Sequence, residues 1–342
     1  MNGSRKYDAI VWLSFGGPNG PEEVVPFLEN VTRGRNIPKE RLAQVADQYL
    51  MFGGKSPING QNLELMSRTR LELARRGIDL PLFFANRNWA PYLDEVASEM
   101  ADLGISKALV LATSAYGSYS GCRQYREDLA RASELVEASG RSLEFFKLRH
   151  FYSHPGFIEP LIKVTLDALD GIAGEKAAAV LCTAHSIPES MAAVCDYRSQ
   201  LGEVASAISQ AVRNAGRAEN VSLAFQSRSG PPSQPWLEPD VNDVIRKIAA
   251  DGIEAVVVVP IGFVSDHMEV VYDLDVLAKS TATELGLSIL RLPTASHSDS
   301  FTKMIADLVE EELDEEFEAP TYPGMTRASR ICSETCCIVR EH

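Results

Sequence analysis

Apolar residues fall along the chain in two rhythms. Short continuous runs, rich in β-branched and aromatic side chains, recur at 7–14, 81–86, 107–112, 143–148, 177–182, 221–226, 255–260 and 287–292. Runs of this length without apolar/polar alternation predict strands buried on both faces of a parallel sheet. Between them, apolar positions three and four apart predict amphipathic helices at 60–76, 91–103, 156–170, 202–215, 239–250 and 270–285, and Gly77 and Gly104 stop the first two.

The strands come in two successive sets of four. This predicts an α/β fold with two domains, 1–153 and 154–300, each a four-stranded parallel sheet flanked by helices, with a ligand crevice outside the carboxyl ends of the strands. Residues 301–342 read as a helix over 301–317, a Pro/Gly/Ser-rich linker and a cysteine-bearing tail.

Composition narrows the function. The 342 residues carry 47 acidic against 33 basic side chains, a formal charge of −14, which argues against nucleic acid or an anionic membrane as the general partner. Any anionic substrate must meet local arginines. The N-terminal apolar run is broken by Gly16 and Gly17 and is too short to span a membrane, so a cytoplasmic protein is expected. Cys332, Cys336 and Cys337 crowd together while Cys122, Cys182 and Cys195 are scattered, and in a reducing compartment such crowding suggests metal before disulfides.

Two segments carry candidate chemistry. In VLCTAHSIPES a buried-strand pattern ends at a turn bearing His185, which either faces the crevice or merely caps the strand. In VVVPIGFVSDHMEVVYDLD, Asp266, His267 and Glu269 follow the matching strand. If the chain is helical from 269, Glu269 and Asp273 share a face, and the alternatives are a pocket with His185 or an acidic, solvated helix start. GGKS lacks the spaced glycine of a P-loop, and Trp236, between closely spaced prolines, reads first as packing and second as pocket lining.

Six segments in order, LSFGGP, VTRGR, GGKSPI, AHSIP, QSRSGPPSQPWLEPD and PIGFVSDHMEVVYDLD, resemble those of a ferrochelatase over nearly the whole chain. With its cysteine tail and without an apolar membrane-docking segment, the chain is most similar to the actinobacterial coproporphyrin ferrochelatases. The resemblance implies two Rossmann-like, chelatase-type domains clasping a porphyrin, with Fe(II) inserted into coproporphyrin III to give coproheme. The product would pass to a transient partner. Protoporphyrin IX as substrate, another metal or tetrapyrrole, and a non-catalytic tetrapyrrole or iron–sulfur sensor are the alternatives.

Metallation removes two pyrrole protons and bends a rigid macrocycle, so the site must supply a base and a grip. By resemblance His185 is a pyrrole proton acceptor or transient Fe(II) ligand, with Glu269 its partner carboxylate. Asp273 is a further candidate for the metal path. The family's third acidic position is Leu277 here, and Asp275 lies off the face of a regular helix. Phe15 stands where the family often carries an iron-ligating tyrosine, so the product's axial ligand must come from elsewhere. Arg33 and Arg35 are the candidate propionate anchors, followed by Ser56 and Tyr125.

The tail resembles the C-terminal ligands of a [2Fe–2S] cluster, which gives Cys332, Cys336 and Cys337 as ligands and Cys122 as the internal fourth, with Cys195 as runner-up. Zinc or a redox-reactive tail are the alternatives. Cys182 reads as a small core residue.

Overall fold

The computed structural model describes residues 6–34, 37–172, 177–231 and 233–338. The eight apolar runs form eight strands: β1 (Ala9–Ser14), β2 (Leu82–Asn86), β3 (Lys107–Ala112), β4 (Glu144–Lys147), β5 (Ala178–His185), β6 (Asn220–Gln226), β7 (Ala255–Val259) and β8 (Ser288–Arg291). They make two four-stranded sheets, ordered β2-β1-β3-β4 and β6-β5-β7-β8, with every pairing parallel. In both sheets the order reverses between the first strand and the third, β1/β3 and β5/β7. An open α/β sheet binds its ligand at such a switch point.

Both faces of the central strands β1, β3, β5 and β7 are buried, which is why their sequences do not alternate, whereas the edge strands β4 and β8 are partly exposed. Along β1, Ile10 and Trp12 point into a core shared with the second sheet, while Ala9, Val11 and Leu13 pack beneath helices Leu93–Asp102 and Gln124–Ala138. Along β7, Val257 and Val259 join the shared core, and Val256 and Val258 pack under helix Val241–Ala250. One core therefore runs between the two sheets. Helix Asp299–Leu313 adds Phe301, Met304, Ile305, Leu308 and Val309 to it.

Polar contacts also cross between the halves. The Tyr116 hydroxyl donates to the Ile261 carbonyl at 2.8 Å, and Gln61 accepts from the Asp266 N–H at 2.8 Å. Residues 314–338 are laid on the body rather than hanging from it. Glu311 takes Arg149 Nε at 2.8 Å and the Ala319 N–H at 3.1 Å, and it also pairs with Arg327. The Tyr322 N–H donates to the Ser153 carbonyl at 2.7 Å, and the Tyr152 hydroxyl to that of Thr326 at 2.8 Å. The last helix ends at Leu313, four residues before its expected end, where Asp314 turns extended.

Candidate active site

His185 is the last residue of β5, so the strand runs beyond 182 and presents the imidazole at the second sheet's switch point. Its Nδ1 contacts the Ser186 carbonyl, and its own carbonyl accepts from the Tyr197 hydroxyl at 3.0 Å. A carbonyl can only accept, so Nδ1 carries a proton, and Nε2 is the ring nitrogen turned to the recess. That nitrogen lies 3.4 Å from Oε2 of Glu269. The two strand ends do converge.

Glu269 sits in the helical turn Met268–Val270, which continues as a π-helix over Val271–Ala278 and then as α-helix Lys279–Glu284. Wide π turns concentrate at functional sites. Asp273 lies in this π segment and accepts from the Ser227 hydroxyl. Ser227 follows Gln226, the β6 residue in register with His185, so three neighbouring strands feed one recess. The winding does not bring Asp275 in. Both its oxygens are taken by Arg291, at 3.0 and 2.8 Å, and Arg291 also holds Asp266 at 2.9 Å. Leu277 is exposed on the same segment.

The side chains of His185 and Glu269 are 32 % and 47 % exposed, an open recess rather than a sealed one. Burial opposes ionisation of Glu269, but the hydrogen bond and charge of His185, with His267, outweigh it and bring its pKa down to about 2. Burial likewise opposes protonation of His185, and there the contact and charge of Glu269, the Ser186 carbonyl and Asp273 win and raise its pKa. Asp273 moves the other way. Burial, reinforced by the charge of Glu269, pushes it up to about 6 although the Ser227 hydrogen bond pulls it down. Burial and the charge of His185 lower the pKa of His267. Two carboxylates of unlike acidity and an imidazole whose Nε2 faces one of them can take up protons and bind a divalent cation.

The first sheet's switch point carries the loop after β1. Gly16 has φ +86°, and a Cβ on Gly17 would come within 2.7 Å of the Ser56 Cβ, so the FGG and GGKS turns close on each other only because glycine lies between. Phe15 is 37 % exposed at this loop and stacks edge-on against Phe27, at 6.5 Å between ring centroids. Ser56 is buried there, its N–H donating to the Pro18 carbonyl at 2.8 Å. Arg33 is exposed and has no ion-pair partner among the described residues; Arg35 lies outside them. Tyr125 is buried in the outer core of the first sheet, with the Arg87 guanidinium 4.7 Å above its ring.

Sequence reasoning missed Ser227, Gln226 and Tyr197. Ser227 and Gln226 lie in QSRSG, where β6 ends level with AHSIP. Ser227 has φ +62° and Gln226 is buried with neither side-chain polar atom partnered. The Trp236 segment pairs with AHSIP: the Leu237 N–H donates to the Ile187 carbonyl at 2.9 Å and the Ser186 hydroxyl to the Leu237 carbonyl at 2.8 Å.

The cysteines gather elsewhere. Cys122 is buried in the π turn Tyr119–Arg123, and Arg123 and Arg126 donate to the Glu334 and Ser333 carbonyls, drawing the tail onto it. Contact with Cys122 lowers the Cys332 pKa, against burial, with Lys147, Cys336 and Arg126 adding to the fall; the Cys122 thiol is raised in turn. The sulfurs of Cys336 and Cys337 are 3.4 Å apart, and Cys195 is within electrostatic reach of both. Cys182 lies in the core, where burial pushes its thiol up to about 12. Among the described residues, no three His, Cys, Asp or Glu side chains form a ready-made metal-ligating group, and no helix is long and apolar enough to cross a membrane.

Comparison with known proteins gives the fold and the family. The SirB protein of Bacillus subtilis superposes with a TM-score of 0.52 at 12 % identity, over 92 % of this chain and all of that one. CbiX, a siroheme-biosynthesis enzyme of denitrifying bacteria, does so with 0.52 at 13 %, over 90 % of this chain and all of its own. These likenesses show the fold. Proteins named coproporphyrin III ferrochelatase are much more similar in sequence. That of Streptomyces coelicolor is 47 % identical, covering 98 % of this chain and 94 % of its own. That of Frankia alni is 46 % identical (97 % and 86 %), and that of Mycolicibacterium smegmatis 47 % (90 % and 90 %). A family model described as Ferrochelatase matches residues 7–313, and the chain belongs to the ferrochelatase family.

Proposed function

We propose that this protein inserts Fe(II) into coproporphyrin III, releasing two protons and forming coproheme, which passes to a transient acceptor. The pairing of His185 Nε2 with Glu269 at the second sheet's switch point carries the chemistry. The porphyrin is supported by the names of relatives 43–47 % identical over most of the chain.

In this reading neutral His185 accepts a pyrrole proton at Nε2, its ring held by the Ser186 carbonyl at Nδ1. Ionised Glu269 then stabilises the imidazolium, and the second proton passes to carboxylate or water. Asp273, ionised above about pH 6, hands Fe(II) toward the macrocycle. Arg33, free of ion pairs among the described residues, and Arg35 anchor propionates, with Ser56 and Tyr125 as secondary contacts. Phe15 covers the opposite face without a ligating atom.

We further infer that Cys332, Cys336, Cys337 and Cys122 hold a [2Fe–2S] cluster. The four thiols lie within electrostatic reach of one another, although no three of them stand in a ready-made ligating arrangement, so binding would have to draw them in; Cys195, near Cys336 and Cys337, is the alternative fourth ligand. The cluster would supply a cross-link between tail and body and a one-electron centre. Six free cysteines fit a reducing compartment, which supports a cytoplasmic location.

The test is anaerobic Fe(II) insertion followed by the Soret band, with coproporphyrin III and protoporphyrin IX side by side. Preference for coproporphyrin III is expected. Preference for protoporphyrin IX would overturn the substrate, and turnover of neither would overturn the activity.

A further inference from the structure

Glu269 and Asp273 reach the recess from a helical segment of unusual winding, which Val270, Leu274 and Ala278 seat on the second sheet. Apolar burial is non-directional, so it holds the segment down without fixing where a carboxylate points. Directional bonds do that, and one side chain supplies three of them.

We propose that Arg291 is a positioning residue for metal insertion: its guanidinium staples Asp266 to Asp275 across the π-helical segment and so holds Glu269 at His185. The proposal rests on the reading of Glu269 as a working carboxylate. Arg291 closes β8, in register with Val258 of β7. Nε and one terminal nitrogen take the two oxygens of Asp275, at 3.0 and 2.8 Å, and the other terminal nitrogen takes Asp266 at 2.9 Å. Asp266 precedes Glu269 by three residues and Asp275 follows it by six, so the staple spans the turn that carries Glu269 and Asp273. A bidentate Arg–carboxylate pair fixes geometry as well as adding energy, and the Arg291 side chain is only 17 % exposed, where salt screens little. The same arginine neutralises Asp266 and Asp275, which leaves Glu269 and Asp273 as the carboxylates of the segment open to Fe(II).

The upstream end of the staple is tied to the other half of the chain. Gln61, in the first turn of helix Ile58–Arg75, donates from Nε2 to the Asp266 carboxylate at 3.3 Å and accepts from the Asp266 N–H at 2.8 Å. In the same turn Asn59 donates to the Gly17 carbonyl at 2.8 Å. Directional bonds therefore run from the FGG loop at the first switch point to the segment bearing Glu269 at the second.

Anaerobic Fe(II) insertion by the full chain at saturating coproporphyrin III tests this in Arg291→Gln, Glu269→Gln and the double variant. Small displacements of a working group can cost up to about a hundredfold, and Arg291→Gln is expected to lower kcat at least about tenfold with the KM for porphyrin within about twofold of native. In the Glu269→Gln background it should cost nothing further, since both substitutions act through one carboxylate. Arg291→Lys keeps the charge without the fork and should stay as slow as Arg291→Gln. Asp275→Ala, at a side chain 36 % exposed, removes the downstream end of the staple without touching the core and should repeat the loss. Native kcat in both Arg291→Gln and Asp275→Ala, native kcat in Arg291→Lys, or an equal further loss in the Glu269→Gln background would each overturn the proposal. A native rate in Glu269→Gln would overturn the reading of the site, and the proposal with it.

Discussion

Glu269 and Asp273, one helical turn apart, ionise on opposite sides of the ordinary carboxylate range. Glu269 is brought down to about 2 by His185, while burial and the charge of Glu269 push Asp273 up to about 6. The first is ionised whenever the enzyme works, and the second switches within the working range. A recess that holds one fixed and one variable negative charge can attract a cation and still release a proton.

From this follows a pH dependence. Asp273 binds a proton more tightly folded than unfolded, so its contribution to stability is present at acid pH and is lost as pH rises through about 6. Activity runs the other way, because the ionised form is the one that binds Fe(II). We expect kcat/KM for insertion to climb with pH through two ionisations, that of Asp273 near 6 and that of His185, whose pKa is raised, and Asp273→Asn to remove the first and keep the second. A variant that keeps the first would show that another group titrates.

The pairing of Glu269 with His185 is directly measurable. The Glu269 charge is among the forces that raise the His185 pKa, so Glu269→Gln should lower the imidazole pKa read by NMR titration. The same substitution should slow insertion by at least about a hundredfold, the scale of a lost proton acceptor or its partner.

The ring of Phe15 offers no atom to iron. Phe15→Tyr is expected to shift the visible spectrum of the ferric product complex toward phenolate ligation while leaving the protein folded, since the side chain is 37 % exposed. An unchanged spectrum would place the ring away from the metal.

Glu311 anchors the tail from a buried position, holding Arg149, Arg327 and the Ala319 N–H. Glu311→Gln leaves Arg149 buried without its counter-charge and should cost about 3–5 kcal/mol, read by chemical denaturation. Cys332→Ser, by contrast, should abolish any iron–sulfur absorption with a smaller loss of stability, because Cys332 is only partly buried.

Much of this architecture was legible in the chain. Both faces of β1 and β7 are covered, so their runs are continuously apolar and could be read as strands from that, while the partly exposed β4 and β8 were read from short apolar runs alone. His185 and Glu269 were legible because they follow such runs. The π-helix was not: Val271–Ala278 has the composition of an ordinary amphipathic turn, and its wider winding depends on tertiary fit. Contacts between residues remote in sequence were equally hidden. Nothing near Ser227 announces Asp273, and Arg149 and Glu311 find each other only once helix Asp299–Leu313 is docked. The segment 318–330 has a linker's composition, yet it is pinned at Ala319, Tyr322 and Thr326 through backbone groups that composition does not reveal.

The central claim is that His185, with Glu269 at its Nε2, performs the proton and metal chemistry on a porphyrin. Single-turnover anaerobic insertion of Fe(II) into bound coproporphyrin III, comparing the native protein with His185→Ala at equal porphyrin occupancy, tests it most directly. The account predicts that the variant binds the porphyrin and fails to metallate it. Metallation at the native rate by His185→Ala would contradict it.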